Sequence, residues 1–166
     1  MTPSWDLFII LFFVILTVYG LLLGRGRVFN ILINTYVGFV IATELGSMAY
    51  GYLSNVTSIS HSISMTTFGA KVLIFAFVIF ILTMRTELTG ANDDANASSL
   101  YTATYGFLAA GLMLSCVMTF MGDADRANLF NSSNLSLQIY NYRVLWLVGP
   151  IVVLLVSSLV GRFMRR

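Results

Sequence analysis

Residues 7–23 read LFIILFFVILTVYGLLL, seventeen consecutive positions without one charged side chain. A helix needs roughly 17–25 apolar residues to cross the hydrocarbon core of a bilayer. In lipid every backbone N–H and C=O must find its partner within the segment, so such a stretch forms a helix and not a lone strand. Working outward, four further stretches follow the same rule. Val28–Tyr50 carries one charge, Glu44, and Phe68–Met84 carries Lys71 near its start. Leu100–Met121 and Val144–Val160 carry none. The expected fold is all-α: a single polytopic transmembrane bundle over residues 1–166, with five spans at 7–23, 28–50, 68–84, 100–121 and 144–160. A four-span version makes one stretch peripheral or re-entrant.

Composition points the same way. Hydrophobic residues make up 58% of the 166, charged residues 10%, and mean hydropathy is +0.87. A soluble domain carries about 25% charged residues, so the lipid bilayer is the expected solvent and partner. The net charge of +2 is dispersed along the chain, which argues against nucleic acid as a partner. The single cysteine, Cys116, lies in an apolar run and reads as a small core residue. The first span is expected to be retained and not cleaved as a leader: its flank carries Asp6 instead of a basic cluster, and Arg25 and Arg27 follow it.

Orientation is read from Lys and Arg. With the C-terminus inside, Arg25, Arg27, Arg85, Arg162, Arg165 and Arg166 are cytoplasmic, and Lys71, Arg126 and Arg143 are outside. The N-terminus is then outside. Trp5, Tyr50, Tyr52, Tyr140, Tyr142 and Trp146 gather at one interface; Tyr19, Tyr101 and Tyr105 gather at the other.

Gly24-Arg25-Gly26-Arg27 reads as a tight cytoplasmic turn between the first two spans, and Thr86–Ser99 as a small, polar cytoplasmic tether. The outer connections are expected to hold short interfacial helices. Ser54–Thr66 spaces Val56, Ile59 and Ile63 at helical intervals, and Ser132 or Ser133 is placed to N-cap a helix bearing Leu135 and Ile139. The sequons at Asn55, Asn131 and Asn134 fall outside as well, in polar loops that generate such triplets by chance.

Catalytic chemistry has little to stand on. His61 is the only histidine, on a loop with no second ligand near it. Asp123-x-Asp125 lacks the glycine and the closing glutamate of a calcium loop. No metal, cofactor or enzymatic activity is expected. Glu44 is the one acid well inside an apolar run, which makes it a functional candidate; a structural pair with Lys71 is the competing reading. Asn30 and Asn34 either line a polar path with them or bond between helices.

The clearest pattern concerns packing. Asn30, Asn34, Gly38, Ala42 and Gly46 recur every four residues in the second span. The fourth span repeats the idea with Thr102, Gly106 and Ala110, and with Gly111 and Ser115. The first span ends in Gly20-x-x-x-Gly24, and the fifth carries Ser157-x-x-x-Gly161. Small faces of this kind let helices approach closely in lipid. They serve either the monomer's own packing or contacts with further subunits. Gly149-Pro150 is expected to kink the last span.

Three segments resemble the colicin V production (CvpA) family: Asp6-Leu-Phe-Ile-Ile ahead of the first span, Tyr19-Gly-Leu-Leu-Leu-Gly-Arg-Gly-Arg27 at the turn, and Gly38-Phe-Val-Ile-Ala42 in the second span. Leu129–Pro150, a polar Asn-Ser segment running into Ile139-Tyr-Asn-Tyr-Arg143 and a Pro-containing span, is similar to that family's tail. The resemblance implies a small bacterial inner-membrane protein linked to colicin export and envelope homeostasis, without catalytic residues. The asparagine-rich cytoplasmic loop and the fifth span depart from that outline.

Two functions compete at this point. One is a non-enzymatic scaffold or assembling subunit of the bacterial envelope, paired with copies of itself or with other membrane subunits. The other is a small channel or transporter subunit that uses Glu44, Lys71, Asn30 and Asn34.

Overall fold

A computed structural model describes residues 4–56, 67–88 and 99–163, and these are all helix apart from short joints. The segments around His61 and Asp93, and the terminal Arg165 and Arg166, lie outside the described residues. The elements run α1 (Trp5–Leu23), α2 (Arg25–Val56), α3 (Thr67–Leu88), α4 (Ser99–Phe120), α5 (Asp123–Ser132), α6 (Asn134–Asn141) and α7 (Arg143–Phe163).

Ser4 caps α1, its hydroxyl accepting from the Leu7 amide at 3.4 Å. The helix ends at Gly24, whose φ of 86° is open to glycine and strained for other residues. α2 begins at the very next residue, so the expected four-residue turn contracts to Gly24 alone, with Gly26 and Arg27 already helical. From this corner α1 leaves to pack on α4, and α2 to pack on α3. α2 has 32 residues, which makes it about 48 Å long at 1.5 Å per residue, well beyond the bilayer core. It exceeds the expected 28–50 at both ends: the turn before it is Gly24 alone, and no proline lies between Tyr50 and Val56 to stop it.

α1 to α4 are each long and apolar enough to cross a membrane, and α6 with α7 makes a fifth crossing if the bent pair is taken as one broken span. The bend is 59° and falls at Tyr142, between α6 and α7. The reason lies at the two ends of the pair. The Trp146 ring lies over Gly111, nine residues before the end of α4, or about 14 Å along its axis. The Tyr36 hydroxyl donates to the Leu147 carbonyl at 2.5 Å, eleven residues beyond the start of α2, or about 16 Å along it. Trp146 and Leu147, at the end of the first turn of α7, therefore stand near mid-height in the bundle. α6 starts beside the first turn of α1, where Asp6 accepts a hydrogen bond from the Leu135 amide at 3.4 Å, and carries the chain obliquely from there into α7.

Trp146 is thus no interfacial belt residue, as its place in the sequence suggests; it is packed at mid-height against Gly111, Phe13 and Phe107. Pro150 sits inside α7, which continues as one helix. It has no N–H to offer the Trp146 carbonyl, and the Tyr36 hydroxyl supplies a donor one residue further on.

α4 is the central helix. Two-thirds of its span is buried (67%), against 11% for α1 and for α3, whose outer faces are left to lipid. Leu32, Ala42, Ala110 and Leu112 are fully closed off at the centre. Lipid is as apolar as leucine, so these seams depend on close approach and dispersion instead of a hydrophobic drive.

Candidate functional site

Three places could carry function: the α2–α3 seam, the α1–α4 seam, and the polar cap formed by α5, α6 and the first turn of α1.

On α2 the small-residue face lies against α3, running antiparallel to it. The Asn34 amide donates to the Thr83 hydroxyl at 3.3 Å. A Cβ placed on Gly38 would stand 3.2 Å from Ile79 and 3.3 Å from Phe75. At Gly46 it would stand 2.3 Å from Cγ of Lys71, whose stem lies across the glycine. Ala42 is fully buried between them and Asn30 is half-buried.

Glu44 does not join this seam. It lies two residues from both Ala42 and Gly46, so at 100° per residue it points about 200° away from the face that meets Lys71. It is exposed, next to the exposed Leu45 and near Val40 and Met48. No ion pair links Glu44 to Lys71. The expected pair is corrected by helix phase: the two residues sit at one height but on different sides of α2.

The α1–α4 seam is a meeting of glycines. A Cβ on Gly20 would lie 3.1 Å from Cα of Gly106, and one on Gly106 would lie 3.0 Å from the Leu16 carbonyl oxygen and 3.1 Å from Cα of Thr17. Ala110 follows one turn on, with no exposed surface. At Gly111 an added Cβ would fall 2.0 Å from the Trp146 ring. The Trp146 Nε1 and the Ser115 hydroxyl are both buried without a hydrogen-bond partner among the described residues. Cys116 is buried in the core alongside Leu112 and Phe120.

The polar cap gathers residues far apart in sequence. Asp6 accepts from the hydroxyl of Ser133 and from the Leu135 amide. Ser133 in turn is the N-cap of α6, accepting from the Ser136 amide at 3.0 Å. Arg126 closes the C-terminus of α4: Nη2 donates to the Met121 carbonyl at 2.6 Å and Nε to that of Met118 at 3.3 Å. A cation here offsets the negative end of the helix dipole. Its Nη1 reaches Asp123 and the Tyr140 hydroxyl, both at 3.0 Å. Arg143 donates to that same hydroxyl at 2.8 Å, and both guanidinium groups lie within 5.0 Å of the Tyr140 ring centre. Asp123 is 98% exposed, so its ion pair adds little stability. Asp123 and Asp125 occupy the first turn of α5, where acids favour the helix N-terminus. No group of three or more His, Cys, Asp or Glu suited to a metal occurs among the described residues.

The sequence marked the Ser133 cap and the acid at Asp6 separately; the structure joins them. The Arg126–Tyr140–Arg143 cluster was missed. Its signal was an arginine within one or two turns of the end of an uncapped span, a position from which it can reach the last carbonyls.

Together the fold and the cap define a helical protein built for a bilayer, with several crossings and a polar cap on one side. No family model, curated protein or solved structure matches this chain.

Proposed function

We infer that this chain is a non-enzymatic, multi-pass scaffold or assembling subunit of the bacterial inner membrane, with its N-terminus outside and its C-terminus cytoplasmic. The orientation rests on the distribution of basic residues, and the envelope role draws on the resemblance to the colicin V production family. The observation that carries the assembly reading is Glu44: a carboxylate exposed on the outside of the bundle, flanked by exposed Val40, Leu45 and Met48, with its expected partner Lys71 on another face. A charge left near hydrocarbon is costly, and a neighbouring subunit relieves that cost. The transporter reading needs Glu44, Lys71, Asn30 and Asn34 to converge on one path. Instead Asn34 is engaged with Thr83, Lys71 covers Gly46, and Glu44 faces out.

Intact-mass measurement in mild detergent tests the reading against the 18.3 kDa of one chain. An assembly that weakens on Glu44→Gln supports it. A lone chain in detergent and also in nanodiscs overturns it.

A further inference from the structure

A cavity of about 560 Å³, open on one side, lies between α1, α6 and the start of α7, with Phe107 of α4 in its wall. It exists because α6 bends away from α7 by 59°, leaving α1 and α7 apart on that flank. Phe13, Val14, Phe107, Ile139 and Trp146 make its lining apolar. On α1 the lining runs from Ile9 to Val18. That is nine residues of rise, or about 14 Å, roughly half of a 30 Å hydrocarbon core. The groove is therefore as deep as one leaflet.

Polar heads stand along its α6 side. Gln138 and Tyr142 line the groove, are exposed, and have side chains without a hydrogen-bond partner among the described residues. Arg143 follows Tyr142 in the chain, just outside the groove's lining. It is exposed, bonded to the Tyr140 hydroxyl and met by no carboxylate among the described residues. Through the Tyr140 hydroxyl its guanidinium reaches up toward that of Arg126, at the end of α4. An apolar slot one leaflet deep beside neutral donors and an uncompensated cation matches an anionic phospholipid: chain in the slot, glycerol esters at Gln138 and Tyr142, phosphate toward Arg143.

We propose that this groove is a binding site for one anionic phospholipid of the leaflet that holds α6. The proposal stands apart from the assembly reading, which rests on a different face of the bundle.

The test is native mass spectrometry of the full chain in mild detergent, titrated with phosphatidylglycerol or phosphatidylcholine. One tightly held phosphatidylglycerol is expected, preferred roughly fivefold, since one arginine near an anionic lipid is worth about 1 kcal/mol. Arg143→Gln removes the preference. Arg27→Gln, an exposed cation beside the Gly24 corner, leaves it intact. Val14→Trp fills the slot and ejects the lipid. The proposal is overturned if no lipid is retained, if Arg27→Gln and Arg143→Gln lower the preference equally, or if the retained mass is a second copy of the chain.

Discussion

The α1–α4 seam and the polar cap hold the same bundle by opposite means. At the seam, Gly20 and Gly106 bring backbone to backbone and contribute no polar side chain. In the cap, Asp6, Ser133, Arg126 and Tyr140 bond across long stretches of sequence. The seam lies where lipid offers no hydrophobic drive, so it depends on the absence of atoms. The cap lies where water competes, so each bond contributes modestly and the network acts by satisfying helix ends. It follows that the seam should fail steeply when an atom is added, and the cap gradually when one is removed.

The largest effect is expected from Gly106→Leu. The new side chain meets the backbone of Leu16 and Thr17, which cannot rotate aside, so the loss should reach or pass the upper end of the roughly 1–3 kcal/mol typical of overpacking. Thermal unfolding in detergent reads it; a loss no larger than that of Gly38→Leu would undo the distinction between backbone and side-chain contact. Gly38→Leu meets the side chains of Ile79 and Phe75, which can shift, and should cost about 1–3 kcal/mol. Val40→Leu, at a position 60% exposed, should stay within about 0.5 kcal/mol as its lipid-facing control.

Asp6→Ala tests the cap. It removes the acceptor for Ser133 and the Leu135 amide and is expected to cost about 1–2 kcal/mol, the scale of a lost helix cap. Hydrogen exchange should rise first at α6. An unchanged α6 would show that Ser133 alone suffices. The smallest effect is a null one: Glu44→Gln and Lys71→Met should add within about 0.5 kcal/mol in a double-mutant cycle. A larger coupling would mean that the two charges meet after all.

The first four spans were legible because apolar length alone decides them, and the α2 face because its spacing repeats every four residues; the fifth, expected at 144–160, is a crossing only as the bent pair of α6 and α7. Glu44 was misread although the same spacing held the answer. A face drawn through Ala42 and Gly46 excludes residue 44, and reading by height along the span ignored that phase. The bend at Tyr142 left no mark: residues 141–143 hold neither Gly nor Pro. It is set by anchors more than twenty residues away, Asp6 at one end and Gly111 at the other. Trp146 misled for a related reason. Aromatic residues near a span end usually mark the interface, but this one enters the bundle because a glycine opposite leaves room for its ring.

The glycine seam also sets an order of events during synthesis. Gly20 and Gly106 are 86 positions apart (106 − 20), so at about 5–20 residues per second α1 waits roughly 4–17 s for its partner. During that delay any polar side chain on α1 would face lipid unpaired. α1 tolerates the wait, because between Leu7 and Leu23 it offers neither charge nor amide side chain to satisfy. α4 brings Thr102, Tyr105 and Ser115 into the interior only once α1, α2 and α3 are there to enclose them. The helix with the least to hide is made first, and the one with the most arrives when the shelter has been built.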